Sequence, residues 1–344
     1  MTISASKDSR PRGVVLVMVC FILFFLVTLT TAYVYSIQTE IRLARNYVDD
    51  IRAYYLAKAG IYRCIAEMKR EDFANKIKPR ADLEEDRETI KRFEEIFLCY
   101  PLGGGNFTVK YQDEFGQKGL GPFDEASLIN ISAWAQNKSY ESLKKLMRVA
   151  LTDEKTIDRL VDCLIDYVDD DDFPELSGAE YTDYEKMDPP RTIKNGPMRD
   201  KSEFLTVMDM VNYLEPGSVD DTLWYGTPGF ETNDWMKASW IEYMETPNPD
   251  NPPEFHPGIA KFVTVNSQTS HVNNNTASEE VLRVVEPDSW ENIIEQRNDG
   301  KISGQPGALR IRSYGRCNNY SRMVEWLVAP RGNGYPTVLK CYEE

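Results

Sequence analysis

The hydrophobic positions near the start of the chain form one long uninterrupted run. From Val14 to Thr39 there is no charged residue, and residues 14–37 are overwhelmingly apolar. A helix rises about 1.5 Å per residue, so this run is long enough to cross the roughly 30 Å hydrocarbon core of a bilayer. The pattern predicts a transmembrane helix over residues 14–37, preceded by a leader over residues 1–13.

A second pattern predicts that the same helix continues beyond the membrane. Apolar residues recur every three or four positions, which is typical of one face of a helix: Ile41, Ala44, Val48, Ile51, Tyr55, Ala59, Tyr62 and Ile65. No Pro or Gly precedes Gly60 within it. We therefore expect residues 38–70 to extend the helix and to place this apolar stripe on a globular head.

The remaining sequence mixes strand-like and helix-like patterns. Alternating residues after a glycine-rich turn predict a strand over residues 106–114, and similar runs occur at 261–265, 308–313, 323–329 and 337–342. Residues 119–258 are mostly helical in pattern. This layout predicts an α+β fold, in which residues 71–118 and 259–344 form a sheet domain and residues 119–258 form an inserted α-helical domain.

Composition and charge argue against several classes of function. The chain has 344 residues, a net charge of −15 and only two histidines. Nucleic acid is not expected as a partner, because its binding depends on Lys and Arg replacing condensed counterions. The glycines at 103–105 are not followed by the Lys and Ser or Thr of a phosphate-binding loop. With so little material for a catalytic site, we expect no enzyme.

An acidic helix carries the strongest candidate chemistry. Apolar residues from Ile157 to Val168 follow helical spacing, while aspartates recur on the opposite face and the helix ends in four consecutive aspartates, Asp169 to Asp172. Carboxylates at a helix C-terminus meet the negative end of the helix dipole. A hard divalent cation such as calcium would relieve that repulsion. The spacing does not fit an EF-hand loop, and a solvated acidic helix end remains the alternative.

Basic residues in the leader predict orientation. Lys7, Arg10 and Arg12 precede the apolar run, and basic residues before a first span keep the leader in the cytoplasm. The span is longer than the apolar core of a secretory signal. The bulk of the chain is therefore expected outside the cytoplasmic membrane, and a plain signal anchor is one reading of this segment.

The N-terminal segment resembles the type IV pilin and pseudopilin superfamily. Arg12-Gly13 followed by Val14-Val15-Leu16-Val17 is similar to a prepilin peptidase site, which implies cleavage between Gly13 and Val14. Most members carry Glu at the fifth mature position, where this chain has Met18. The class that lacks this Glu is the minor pseudopilin K of type II secretion systems.

Motifs in the acidic region also resemble the K family. They are the run 164–171, Gly178-Ala179-Glu180, Tyr184, Asp188-Pro189-Pro190 and Lys194-Asn195-Gly196-Pro197. Tyr167 stands where the family usually has Trp. Because members bind calcium in this region, the resemblance implies calcium as a cofactor, with Asp166, Asp169, Asp171 and Glu180 as its ligands.

The resemblance implies a type IV pilin-like fold and a structural role. It predicts a minor pseudopilin at the tip of the type II secretion pseudopilus, which aids pseudopilus assembly and protein export across the outer membrane. The implied partners are I- and J-type minor pseudopilins, prepilin peptidase and the inner-membrane secretion platform. The implied location is the bacterial inner membrane, single-pass, with the C-terminal domain in the periplasm.

Two other functions remain open from the sequence. One is a membrane-anchored extracytoplasmic calcium-binding module that never enters a fibre. The other is a minor type IV pilin, a class that usually lacks an Asp-rich inserted domain.

The cysteines give one further expectation. Cys317 and Cys341 both flank predicted C-terminal strands, and an oxidising compartment permits disulfides. They are the expected pair.

Overall fold

A computed structural model describes most of the chain. The described residues are 12–70, 73, 77, 87–208, 210, 222–227, 234–245, 255–302, 304, 306–330 and 336–343. Lys7 and Arg10 of the predicted leader lie outside them.

The described helices and strands occur in runs along the chain. The helices are α1 (Arg12–Met68), α2 (Arg87–Phe97), α3 (Ile131–Gln136), α4 (Tyr140–Met147), α5 (Glu154–Val168), α6 (Tyr181–Tyr184), α7 (Thr222–Tyr225), α8 (Asp234–Glu245), α9 (Glu279–Val285) and α10 (Trp290–Asn298). The strands are β1 (Tyr100–Leu102), β2 (Gly105–Gln112), β3 (Lys118–Leu120), β4 (Phe123–Asp124), β5 (Ile129–Asn130), β6 (Val263–Thr264), β7 (Leu309–Cys317), β8 (Tyr320–Ala329) and β9 (Thr337–Glu343).

Helix α1 is a single helix of 57 residues, as the sequence predicted. Its first part is apolar and exposed all round, and it is long and apolar enough to cross a membrane. Its last part packs on the sheet and is buried there. One helix therefore joins the candidate membrane span to the folded head.

The face of α1 that packs on the sheet overlaps the predicted stripe only near its end, at Ala59 and Ile65. Val48, Ile51, Tyr55 and Tyr62 of the predicted stripe are exposed. The buried face combines large apolar residues with small ones: Leu56, Ile61 and Ile65 with Ala53, Ala57, Gly60 and Cys64. Small side chains let the helix backbone lie close to the sheet, and the tyrosines are too large for that approach. The apolar pattern located the helix but only part of its buried side.

The main sheet confirms the predicted α+β fold. Its strands lie in the order β1-β2-β7-β8-β9 and all pair antiparallel. β7 and β8 form the longest pairing, from Leu309 opposite Val328 to Cys317 opposite Tyr320. Strand β3 pairs with β2, and β4 pairs with β7.

Two cores fill the head, and they divide the chain differently from the predicted boundaries. One lies between α1 and the sheet. The other lies among the helices, and it includes Phe262, Val281 and Leu282 together with Leu160 and Leu164. The helical core therefore continues past residue 258, where the sequence predicted that the insertion ends. Strands β3 and β4, in turn, show that the main sheet reaches into the predicted helical block.

The expected disulfide between Cys317 and Cys341 is wrong. Cys317 lies opposite Tyr320, and Cys341 on β9 lies opposite Trp326. Strand β8 separates them, so their Cα atoms are about 9 Å or more apart, beyond the roughly 7 Å limit for a disulfide. All six cysteines are free.

Candidate metal centre

Helix α5 is stabilised by an N-terminal cap and by a buried apolar face. The Asp153 side chain accepts a hydrogen bond from the Thr156 amide at 3.0 Å and caps the N-terminus. Its apolar face, including Ile157 and Leu164, is buried in the helical core. The helix ends at Asp169, whose backbone is extended (ψ 175). The chain then turns back across the helix end.

The returning segment, residues 170–180, is held by the aspartates of α5. Asp166 Oδ1 accepts a hydrogen bond from the Glu175 amide at 3.0 Å, and Asp162 Oδ2 accepts one from the Ser177 amide at 2.9 Å. A Cβ atom at Gly178 would overlap Asp166 Oδ2. Only glycine fits at this point, because the carboxylate of Asp166 lies against the backbone.

This turn brings the acidic side chains into two overlapping groups. Asp166, Asp169 and Glu175 form one group, and Asp169, Asp171 and Glu180 form the other. In each group, one carboxylate oxygen from each residue lies within 4.8 Å of the others. Two calcium ligands at 2.3–2.6 Å from the ion are at most about 5 Å apart, so either spacing suits such a cation.

All four sequence-predicted ligands lie in these groups. Asp169 belongs to both groups, Asp171 and Glu180 lie in one, and Asp166 lies in the other. Glu175 was missed, because it is one of many acidic residues in the sequence. Its only signal was its position shortly after the Asp169–Asp172 run, which becomes informative once the chain is known to turn back.

Burial makes the cluster unfavourable without a cation. Asp166 is fully buried, and Asp169 and Glu180 are nearly so. Neither carboxylate oxygen of Glu180 has a hydrogen-bond partner among the described residues. Asn195 adds a neutral oxygen: its Nδ2 donates to the Asp171 carbonyl at 3.0 Å, while its Oδ1 is buried and unpartnered within the described part of the chain. Orphaned buried oxygens of this kind fit a cation with oxygen ligands.

The pKa values of the clustered carboxylates also favour a bound cation. Burial raises the pKa of Glu180 to about 7, and repulsion from Asp166 and Asp169 adds to this effect. Burial also raises the pKa of Asp166 to about 6, although the backbone amides of Glu175 and Ala179 oppose it. The protein therefore disfavours the charged carboxylates here unless positive charge is supplied.

Lys138 supplies part of that charge. Its Nζ lies 2.7 Å from Glu175 Oε1 and 3.3 Å from Asp169 Oδ2. This single ammonium group pairs with two carboxylates. Among the residues that the structure describes, Asp166, Asp171 and Glu180 form no ion pair. The residues present therefore fit a bound divalent cation.

The region that contains this cluster also matches a known family model. Residues 125–214 match the family model described as type II secretion system (T2SS), protein K. Over this segment the chain is similar to the protein K family. The match spans α3 to α6 and every residue of the two acidic groups, and it confirms the resemblance stated from the sequence motifs.

Comparison with solved structures adds a likeness in fold. The chain is similar to a chain of the GspK-GspI-GspJ complex from the type 2 secretion system of enterotoxigenic Escherichia coli. The identity is 14% and the TM-score is 0.49, and the alignment covers 89% of this chain and 99% of that one. No curated protein matches the chain.

Proposed function

We propose that this chain is a structural minor pseudopilin of a type II secretion system. It lies at the tip of the pseudopilus and aids pseudopilus assembly and protein export across the outer membrane. The observation that carries the proposal is the protein K match over residues 125–214, which lies in the same chain as a 57-residue helix with an apolar, exposed first part. The role is structural rather than enzymatic.

The long helix supports a single-pass anchor in the bacterial inner membrane. Side chains from Val14 to Val34 are exposed and apolar almost without exception, a surface that lipid would cover. The later part of α1 joins the folded head. With the basic leader on the cytoplasmic side, the head lies in the periplasm.

Processing by prepilin peptidase follows from the leader sequence. Helix α1 begins at Arg12, so the predicted bond between Gly13 and Val14 lies in its first turn. Cleavage there makes Met18 the fifth residue of the mature chain. In known pilins, Glu at this position is thought to pair with the N-terminal amine of a neighbouring subunit. A subunit without it lacks that pair, which suits a position at the end of the fibre.

The exposed apolar residues of α1 support helix packing with other subunits. Ile41, Val48, Ile51 and Tyr55 are exposed large side chains on this helix. We propose that I- and J-type minor pseudopilins pack their helices against these side chains, and that the inner-membrane platform inserts the subunit.

We also propose that the helical part of the head binds calcium. Asp166, Asp169, Asp171 and Glu180, together with Glu175, would hold the ion. It would supply the positive charge that these buried carboxylates lack and would fix the segment 170–180 on the end of α5. Its role there is stabilisation of the fold.

The first experiment determines the N-terminal residue and the intact mass of the protein from cells with and without prepilin peptidase. We expect a mature chain that starts at Val14 and depends on the peptidase. An intact Met1 in both strains would contradict the pseudopilin assignment and favour an anchored extracytoplasmic module.

A further inference from the structure

The sheet opens into a cleft on the face turned away from α1. Pairing between β2 and β7 ends at Val109 opposite Ser313. Beyond this point β2 pairs with β3, and β7 pairs with β4. The two long strands therefore separate, and a cleft of about 320 Å³ lies where they part.

Cationic and aromatic side chains line this cleft. Lys110 and Lys118 lie on β2 and β3, and Arg312 and Tyr314 lie on β7. The Lys110 ammonium is 4.5 Å from the centroid of the Tyr314 ring, which holds the amine over a flat surface. Arg316 follows on the same face of β7 and is exposed.

Most of this positive charge is not neutralised by the protein. Arg312 forms an ion pair with Glu325 at 2.6 Å. Within the part of the chain that the structure describes, Lys110, Lys118 and Arg316 form no ion pair. The whole chain has a net charge of −15, so the cleft is a local reversal of sign on an acidic protein. Unpaired cations beside a cleft attract anionic partners.

We propose that this cleft, lined by Lys110, Lys118, Arg312 and Tyr314, binds an extended, carboxylate-rich segment of a partner protein. Side chains on one face of an extended peptide are spaced along a line, so several of its carboxylates could reach the cations that β2, β3 and β7 present on one face of the sheet. Carboxylates would accept hydrogen bonds from the ammonium groups. A nucleic acid is a weaker fit, because few cations face a strongly acidic body. The proposal goes beyond the pseudopilin role and does not depend on the metal centre.

The experiment uses the full chain in non-ionic detergent micelles and a short fluorescein-labelled oligoglutamate peptide as the probe. Fluorescence anisotropy measures binding at low salt. The test variant is Lys110→Ala with Lys118→Ala. The matched control is Lys145→Ala with Lys155→Ala, which removes the same charge from two exposed lysines of the helical part.

We expect the test variant to bind the probe about tenfold more weakly, as two exposed charge pairs of up to about 1 kcal/mol each allow. The control variant keeps the original affinity. Added salt should weaken binding to the unmodified protein, and carbodiimide crosslinking should join the probe to Lys110 or Lys118.

Several results would overturn the proposal. They are absence of binding at low salt, equal affinity of the test and control variants, or equal binding of a neutral Gly-Ser peptide. Tighter binding of a single-stranded oligonucleotide than of oligoglutamate would assign the cleft to nucleic acid instead.

Discussion

Gly178 sets how closely the returning chain can approach α5. A methyl group at this position would overlap Asp166 Oδ2, and Asp166 is fixed by burial and by the Glu175 amide. We therefore expect Gly178→Ala to displace that carboxylate and to lower the free energy of unfolding by about 1–3 kcal/mol. Calcium titration calorimetry and thermal unfolding would measure the two effects.

Gly196→Ala is the matched control for that change. An added Cβ there would lie 3.8 Å from the Lys194 carbonyl oxygen, an ordinary contact. Equal losses of stability and of calcium affinity in the two variants would contradict the proposed role of Gly178.

Asp169 and Asp170 are neighbours with different surroundings, which separates a metal site from a solvated helix end. Asp169 is nearly buried and belongs to both acidic groups, while Asp170 is exposed and belongs to neither. We expect Asp169→Asn to weaken calcium binding at least about tenfold, the effect of losing about 1.4 kcal/mol, and Asp170→Asn to change it little. Calorimetry at fixed pH measures both affinities. Equal behaviour of the two variants would favour a solvated acidic end.

At the scale of the elements, α1 and β7 approach each other so closely that side chains are excluded. A Cβ at Gly315 would overlap backbone atoms of Ala53 and Ala57. Because backbone cannot rotate away, Gly315→Ala should push the helix from the sheet and cost about 1–3 kcal/mol. Urea unfolding measures this change, with Gly196→Ala again as the control. Unchanged stability would mean that α1 is less tightly held than the packing indicates.

The elements also show what sequence patterns can predict. Long apolar or alternating runs gave α1, α5, β7, β8 and β9, because periodicity accumulates over many residues. Short strands such as β3 and β4, of three and two residues, carry too little pattern. The buried side of α1 was predicted only in part, because small residues such as Ala53, Ala57 and Gly60 share that side with larger apolar ones.

The residues of the candidate site also differ in whether the sequence could predict them. The resemblance to the K family named four carboxylates, which lie on α5 or in the segment that follows it. Glu175, Lys138 and Asn195 could not be named, because their positions beside Asp169 and Asp171 arise only when separate segments fold together. A contact between residues that are far apart in the sequence leaves no signal in the local sequence.

At the scale of the whole molecule, the two cores should respond differently to metal removal. The acidic groups border the helical core, which contains Trp134, Trp224 and Trp240, whereas Trp326 packs on the core between α1 and the sheet. Chelation should lower the unfolding midpoint of the helical part, because a ligand that binds only the folded state stabilises it by mass action. Calorimetry should show the sheet transition unchanged. A single transition with one common shift would indicate that the cores unfold together.

Met18 allows a test of the whole molecule in its assembly. If absence of the fifth-residue Glu confines the subunit to the fibre end, Met18→Glu should permit the missing pair with a neighbouring N-terminal amine. We expect the variant to be processed normally but to appear along the pseudopilus, as immunogold labelling would show. Met18→Leu is the control, because it keeps an apolar side chain at an exposed position of the span. Labelling confined to one end in both variants would mean that another feature, with the bulky helical part as the first candidate, determines tip position.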